Sequence, residues 1–112
     1  MDLRQKFQVI YTQEVRDFMK GLDIKARTKI LYNIEKASYS LDPQLFKKLE
    51  GQDLWEFRTV YAGIQYRLLA FWDRSTETFV IATHGFIKKT QKTPQKEIDK
   101  ANNIRKIYFQ EK

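Results

Sequence analysis

The sequence predicts an α+β domain: a strand and two helices, then a three-stranded antiparallel meander, then a final helix. Apolar residues recur at helical spacing over residues 12–41 and 94–108, and three short apolar or alternating runs fill residues 54–86. Because short turns join these runs, neighbouring strands should pair antiparallel, with the helices mainly on one face of the sheet. The length of 112 residues predicts one domain over residues 1–112.

The first half of the chain is predicted to hold one strand and two helices. Phe7, Val9 and Tyr11 occupy every second position, which is typical of a strand. Thr12 is the expected N-cap of a first helix that ends at Gly21. A second, longer helix is expected from an N-cap at Asp23 to residue 41, where Asp42-Pro43 stops it. Residues 42–53 are predicted to be a connecting loop.

The second half is predicted to hold the meander and the last helix. Strands are expected at 54–61, 65–72 and 79–86, separated by turns at 62–63 and 73–76. The last two runs are mostly apolar, as in central strands that are buried on both faces. Thr93 is the expected N-cap of the final helix, with Pro94 at its first helical position.

Positive charge is concentrated near the C-terminus. The net charge is +7, and residues 85–112 hold eight lysines and arginines against three acidic residues. A basic patch favours phosphate backbones or an acidic protein partner, although a lysine-rich solvated surface is an equally ordinary explanation. The chain has no cysteine. We expect no signal peptide, because the first residues lack an apolar core, and no stretch has the apolar length of a membrane span. We therefore expect a soluble cytoplasmic protein.

The candidate site lies on the three strands of the meander and the loop after them. Arg58 and Arg67 interrupt aromatic-rich runs, His84 closes the last strand, and Lys88, Lys89 and Lys92 follow it. If the two arginines and His84 share a helix-free face, they form a cationic patch that can hold phosphate. The alternatives are an ordinary ion pair between Arg58 and Glu56, a structural histidine and a solvated lysine loop.

Several classes of chemistry are excluded or disfavoured by the residues present. One histidine without cysteine makes a zinc site improbable, and the sequence shows no glycine-rich phosphate loop, no nucleophile elbow and no acidic cluster for a two-metal nuclease. No cofactor or metal is therefore expected. A nuclease built from these residues would use the 2′-hydroxyl of RNA as nucleophile, with histidine or lysine as acid or base and arginine stabilising the phosphate charge.

Three motifs resemble the RelE/ParE toxin superfamily, and in particular its phage-derived HigB-like branch. They are Leu54 to Arg58, the Gln65-Tyr66-Arg67 triplet, and the stretch from His84 to Pro94. The resemblance covers nearly the whole chain and implies a small RelE-like fold. Two departures stand out: Glu56 replaces a basic residue of relatives, and only Tyr66 and Tyr108 are distant matches for the tyrosine that some relatives use as a base.

The resemblance implies a toxin of a type II toxin–antitoxin system that cuts mRNA in the ribosomal A site. Its partners would be ribosome-bound mRNA and a cognate antitoxin of the helix-turn-helix DNA-binding type. The superfamily also contains gyrase inhibitors, so that activity stays open, as do a non-catalytic RNA- or protein-binding module and an inactive phage remnant. The implied catalytic residues are Arg58, Arg67, His84 and Lys88, and the implied RNA contacts are Lys89, Lys92 and Tyr66.

Overall fold

The computed structural model describes residues 4–112, so residues 1–3 of the predicted domain lie outside the described part of the chain. Three helices and five strands follow one another, and the predicted order of elements is confirmed with one addition. The elements are β1 (Gln8–Tyr11), α1 (Gln13–Lys20), α2 (Ile24–Ser40), β2 (Phe46–Lys48), β3 (Trp55–Tyr61), β4 (Ile64–Asp73), β5 (Phe79–Ile87) and α3 (Gln95–Gln110).

The strands form one mixed sheet in the order β1-β5-β4-β3-β2. Strands β3, β4 and β5 pair antiparallel as predicted, and β1 joins the edge parallel to β5 after the helical crossover. The prediction that residues 42–53 form only a loop was wrong, because Phe46–Lys48 pairs antiparallel with the start of β3. Phe46 lies opposite Phe57 and is buried, so the side chain that anchors this edge strand is apolar.

Both faces of the sheet are covered by helices. Residues from α1 and α2 pack with Phe57, Leu68 and Val80 in one core, and Ala101 of α3 packs with Leu69 and Phe71 in a second core on the opposite face. Two helices therefore share one face, while α3 covers the other. Strands β4 and β5 are apolar on both faces, and an uncovered face would leave that apolar surface in water.

The predicted helix boundaries hold at the first two helices and shift by one residue at the third. The hydroxyl of Thr12 accepts from the backbone N–H of Val15 at 3.2 Å, which caps α1. Asp23 stands at the start of α2 without a side-chain capping bond. Helix α3 begins at Gln95 with Pro94 as its cap, because Thr93 instead donates its hydroxyl to Glu56 Oε2 at 2.7 Å.

A bulge in β5 determines which face His84 occupies. Leu69 pairs with His84 but Ala70 pairs with Ala82, so Thr83 is an extra residue in β5. Successive strand residues point to opposite faces, and one inserted residue reverses every side chain after it. The bulge therefore puts Ala82 on the α1 and α2 face and His84 on the α3 face.

The bulge also brings Gly85 against the ring of Phe18 in α1. A Cβ at Gly85 would lie 2.3 Å from that ring, whereas one at Gly21 would meet its nearest atom at 3.6 Å. We expect Gly85→Ala to lower the free energy of unfolding by about 1–3 kcal/mol through overpacking. Urea denaturation measures this loss, with Gly21→Ala as the control. Equal stability of Gly85→Ala and the parent protein would contradict this packing.

Candidate functional site

The polar side chains on the sheet face that α3 covers include Glu56, Arg58, Arg67 and His84. Arg58 on β3 lies directly opposite Arg67 on β4. Leu69 on β4 lies opposite Glu56 on one side and opposite His84 on the other, so these two residues lie beside the arginines. Directly opposed residues point to the same side of a sheet, so Arg58, Arg67 and His84 share a face, as the hypothesis of a cationic patch requires. The expectation that this face is free of helices was wrong, because α3 packs over β4 and β5.

Glu56 is a buried carboxylate that joins three segments of the site. Its Oε1 lies 3.3 Å from Arg67 Nε and 3.6 Å from Arg58 Nε. These contacts have the geometry of ion pairs and not of hydrogen bonds, since neither Nε makes a hydrogen bond within residues 4–112. With Thr93 bonded to Oε2, Glu56 fixes the loop before α3 against β3 and β4.

The two arginines differ in accessibility. Arg67 is only 3% exposed, and its guanidinium donates to the carbonyl of Tyr66 at 3.0 Å and to Gln65 Oε1 at 2.8 Å. Burial lowers the pKa of Arg67, and the nearby Glu56 carboxylate opposes that change. Arg58 keeps 31% of its side chain exposed. Arg67 therefore acts on the site as a buried charge, whereas Arg58 can contact a ligand directly.

A groove of about 670 Å³ opens beside these residues, between β2, β3, the loop after β5 and the first turns of α3. Five cationic side chains line it against two carboxylates, so its potential favours an anion. Leu49 and Ile98 supply apolar walls. The lining cations are Lys47, Lys48, Arg58, Lys88 and Lys92, and the carboxylates are Glu50 and Glu56.

Lys88 is the titratable group in this groove whose proton affinity is most relevant to chemistry. Its backbone N–H bonds to the carbonyl of Gln65 at 2.8 Å, and its side chain is half-buried. Burial lowers the pKa of Lys88 below its usual 10.5; Glu56 opposes this, and the charges of Arg67, Arg58 and Lys47 add to it. An amine in such surroundings releases its proton more readily than a surface lysine.

His84 occupies a different position from the groove and touches α3. It is 2% exposed; its Nε2 lies 3.2 Å from Glu97 Oε1, and its Nδ1 lies 3.0 Å from the hydroxyl of Thr83. Both ring nitrogens are thus engaged within the protein. This arrangement joins β5 to α3 and matches the structural alternative for the histidine, and it leaves no ring nitrogen facing the groove.

Burial, followed by the charge of Lys100, lowers the pKa of His84 below 6.5, while Glu97 and Glu14 oppose this shift. The unfolded chain therefore takes up the proton first, so stability should fall as the pH drops below about 6.5. We expect the free energy of unfolding to decrease between about pH 7 and pH 5. The decrease should be smaller in His84→Gln. Identical pH slopes for the two proteins in chemical denaturation would contradict this placement of His84.

Of the other residues that the sequence assigned to the site, one lines the groove and the rest lie elsewhere. Lys92 lines the groove, while Lys89 is exposed outside it. Tyr66 is buried on the opposite face in the core beneath α2, so the structure does not bring it to the site. Tyr108 donates its hydroxyl to Asp73 at 2.6 Å, which raises the pKa of Tyr108 to about 12. Neither tyrosine is placed to act as a base.

Sequence reasoning missed Lys47 and Lys48, which enter the groove because β2 places them at the edge of the sheet. No alternation marks residues 46–48 as a strand, and only the pairing with β3 creates it. Among residues 4–112, no group of three or more histidine and acidic side chains is arranged to hold a metal ion. No helix in that range is long and apolar enough to cross a membrane.

The family model described as Phage derived protein Gp49-like matches residues 17–106, which include Glu56, Arg58, Arg67, His84 and the basic loop. The chain belongs to the phage-derived Gp49-like family. The family match confirms the resemblance to a phage-derived protein that the sequence motifs indicated. No curated protein matches the chain significantly.

The fold of this Gp49-like protein is similar to a chain in the crystal structure of the intact E. coli RelBE toxin–antitoxin complex. The match has a TM-score of 0.52 and covers 77% of this chain and 99% of that chain. The sequence identity is 17%, so this likeness shows a shared fold. The predicted RelE-like α+β fold is therefore confirmed.

Proposed function

We propose that this Gp49-like protein is the toxin of a type II toxin–antitoxin system and cleaves mRNA on the ribosome. The observation that carries the proposal is Lys88, an amine of lowered pKa in a cationic groove beside Arg58 and the buried Arg67. Such a site binds phosphate and can also move a proton. The RelE-like fold supports the proposal, since the matched structure is named as a toxin–antitoxin complex.

In the proposed reaction, Lys88 takes the proton of the RNA 2′-hydroxyl, and the 2′-oxygen attacks the adjacent phosphorus. A bond forms between the 2′-oxygen and phosphorus while the bond from phosphorus to the 5′-oxygen breaks. Arg58 and Lys47 stabilise the charge that develops on the phosphate. The leaving 5′-oxygen receives a proton from the ammonium of Lys92. The products are a 2′,3′-cyclic phosphate and a free 5′-hydroxyl, and the groove's cations supply the charge stabilisation that metal ions supply in other nucleases.

The proposed partners are the translating ribosome with its mRNA and an antitoxin that inhibits the protein until it is degraded. The antitoxin would be encoded by a neighbouring gene and would carry a helix-turn-helix domain. Since translation is the target, the proposed site of action is the cytoplasm. An excess of positive charge on the toxin favours association with ribosomal RNA and with an acidic segment of the antitoxin.

Induced expression of the protein followed by mapping of mRNA ends tests this proposal. We expect growth arrest together with cuts confined to translated mRNA, and both effects should be lost in Arg58→Gln. Arg58 is the suitable arginine because it is partly exposed, whereas a substitution of the buried Arg67 would also test folding. Growth arrest with intact mRNA and altered DNA supercoiling would establish gyrase inhibition instead. Intact mRNA on programmed ribosomes with purified protein would favour a non-catalytic binding module.

A further inference from the structure

A second cleft, of about 420 Å³, lies beside the groove at the end of the sheet. Strand β2, the turn before β3, the ends of β3 and β4, and α3 enclose it. Lys48 lines both cavities, which makes them neighbours. The residues that line this cleft are Lys48, Asp53, Trp55, Trp72, Arg74 and Arg105.

The cleft combines aromatic surface with positive charge. Trp55 and Trp72 meet edge to face with ring centroids 5.8 Å apart, and both are half-buried. The guanidinium carbon of Arg74 lies 4.2 Å from the centroid of Trp72. Lys48, Arg74 and Arg105 outnumber the one carboxylate, that of Asp53. Stacking surfaces flanked by cations are the features with which proteins bind single-stranded nucleic acid.

Two residues that line the cleft each carry a buried donor without a hydrogen-bond acceptor from the described part of the protein. Trp72 Nε1 and Arg105 Nε are both inaccessible and make no hydrogen bond within residues 4–112. Unpaired buried donors are costly, and a side-chain movement that turns either donor into the cleft would let it meet an acceptor on a ligand. Phosphate and nucleobase oxygens and ring nitrogens are acceptors of the required kind.

We infer that this cleft is an RNA subsite that holds a nucleobase next to the phosphate bound in the groove. The base stacks on the outer face of the Arg74 guanidinium, which itself lies over the ring of Trp72, and Lys48 and Arg105 contact the flanking phosphates. Helix α3 connects the two sites, since Ile98 at the groove and Arg105 at the cleft are two turns, about 10 Å, apart on one side of the helix. The inference rests on the proposed function, because it takes RNA as the ligand of the groove.

Tryptophan fluorescence reports on this cleft directly, because the chain has two tryptophans and both line it. The probe is a short mixed-sequence single-stranded RNA with methylated 2′-hydroxyls, which lacks the nucleophile and is not cleaved. We expect it to quench the fluorescence, with an affinity that falls as the salt concentration rises. Arg74→Gln/Arg105→Gln should raise its dissociation constant about tenfold or more.

The matched control is Lys25→Gln/Lys29→Gln, which removes the same charge from α2 on the opposite face and should change the dissociation constant much less. No quenching by RNA, or equal weakening in both double variants, would overturn the inference. Quenching by polyglutamate but not RNA would assign the cleft to an acidic peptide, and inorganic phosphate reproducing the signal would leave a simple anion site; either would also overturn it.

The proposed function and this inference fail separately. If translated mRNA is cut but the methylated RNA does not quench the tryptophans, the nuclease proposal stands and the subsite is wrong. If quenching is lost in Arg74→Gln/Arg105→Gln but mRNA is never cut, the subsite stands as an RNA-binding site and the nuclease proposal is wrong.

Discussion

Replacement of Lys88 by methionine is expected to lower the rate of mRNA cleavage by about a hundredfold to ten-thousandfold, the usual contribution of a positioned acid or base. Methionine keeps most of the apolar stem of lysine and removes the amine. The measurement is single-turnover cleavage of mRNA on programmed ribosomes with the purified variant. Lys29→Met, on α2 at the opposite face, is the matched control and should cleave at the parental rate. A Lys88→Met protein that cleaves as fast as the parent would remove Lys88 from the mechanism.

The pH dependence of cleavage separates the role of a base from that of a fixed charge. A base must be neutral, so below the pKa of Lys88 the rate should rise as the pH rises, and it should level off once the pH passes that pKa. Because burial and neighbouring cations lower this pKa below 10.5, the plateau should be reached at a lower pH than an ordinary lysine allows. Lys88→Arg keeps the positive charge, but a guanidinium does not lose its proton in the working pH range and cannot act as a base. This variant should therefore be as inactive as Lys88→Met. Full activity of Lys88→Arg would show that Lys88 contributes charge alone.

The sequence predicted the parts of the site that depend on local pattern. Period-two alternation placed Glu56 and Arg58 on one face of β3, and the short turn at 62–63 brought Arg67 alongside. Those inferences need only the geometry of one hairpin. The predicted basic loop likewise follows β5 directly, and Lys88 and Lys92 line the groove as its position suggested.

The rest of the site depends on contacts between residues far apart in the chain. The strand at Phe46–Lys48 exists through its pairing with β3, so Lys47 and Lys48 could not be assigned to the groove from their own neighbours. The position of His84 depends on the bulge at Thr83, and a strictly alternating β5 would have placed it with Ala82 under the other helices. Its burial depends on α3, which a sequence pattern does not assign to a face.

The two arginines differ in how deeply they are buried, and this difference decides what each can do in the site. The sequence pattern gives no reason to distinguish Arg58 from Arg67. In the structure Arg58 is partly exposed, whereas Arg67 is enclosed by Glu56, Gln65 and its own strand. A buried charge acts on its neighbours through the field, here by disfavouring the protonated form of Lys88. The site therefore contains accessible cations that can bind a ligand and a buried ion pair, Glu56 and Arg67, that influences the pKa of Lys88.

Glu56→Leu is expected to lower the free energy of unfolding by about 3–5 kcal/mol, because it leaves the buried guanidinium of Arg67 without a counter-charge. It also removes the acceptor of the Thr93 hydroxyl and so frees the loop before α3. Urea denaturation measures the loss, and Glu50→Leu is the control because Glu50 is an exposed carboxylate at the same groove. A loss below about 1 kcal/mol would mean that Arg67 finds water or another partner in the native state.

The double variant Glu56→Leu/Arg67→Met decides how the buried pair contributes. Replacing both charges with apolar groups of similar volume is often neutral or stabilising, so the double variant should recover most of the stability that Glu56→Leu loses. Cleavage should not recover with it, because the hydroxyl of Thr93 still lacks its acceptor on Glu56, and the loop that carries Lys88 is no longer held against the sheet. Recovery of both stability and cleavage would make the pair a structural feature alone. Recovery of stability without cleavage would show that this buried ion pair is retained for the chemistry of the groove and not for the fold.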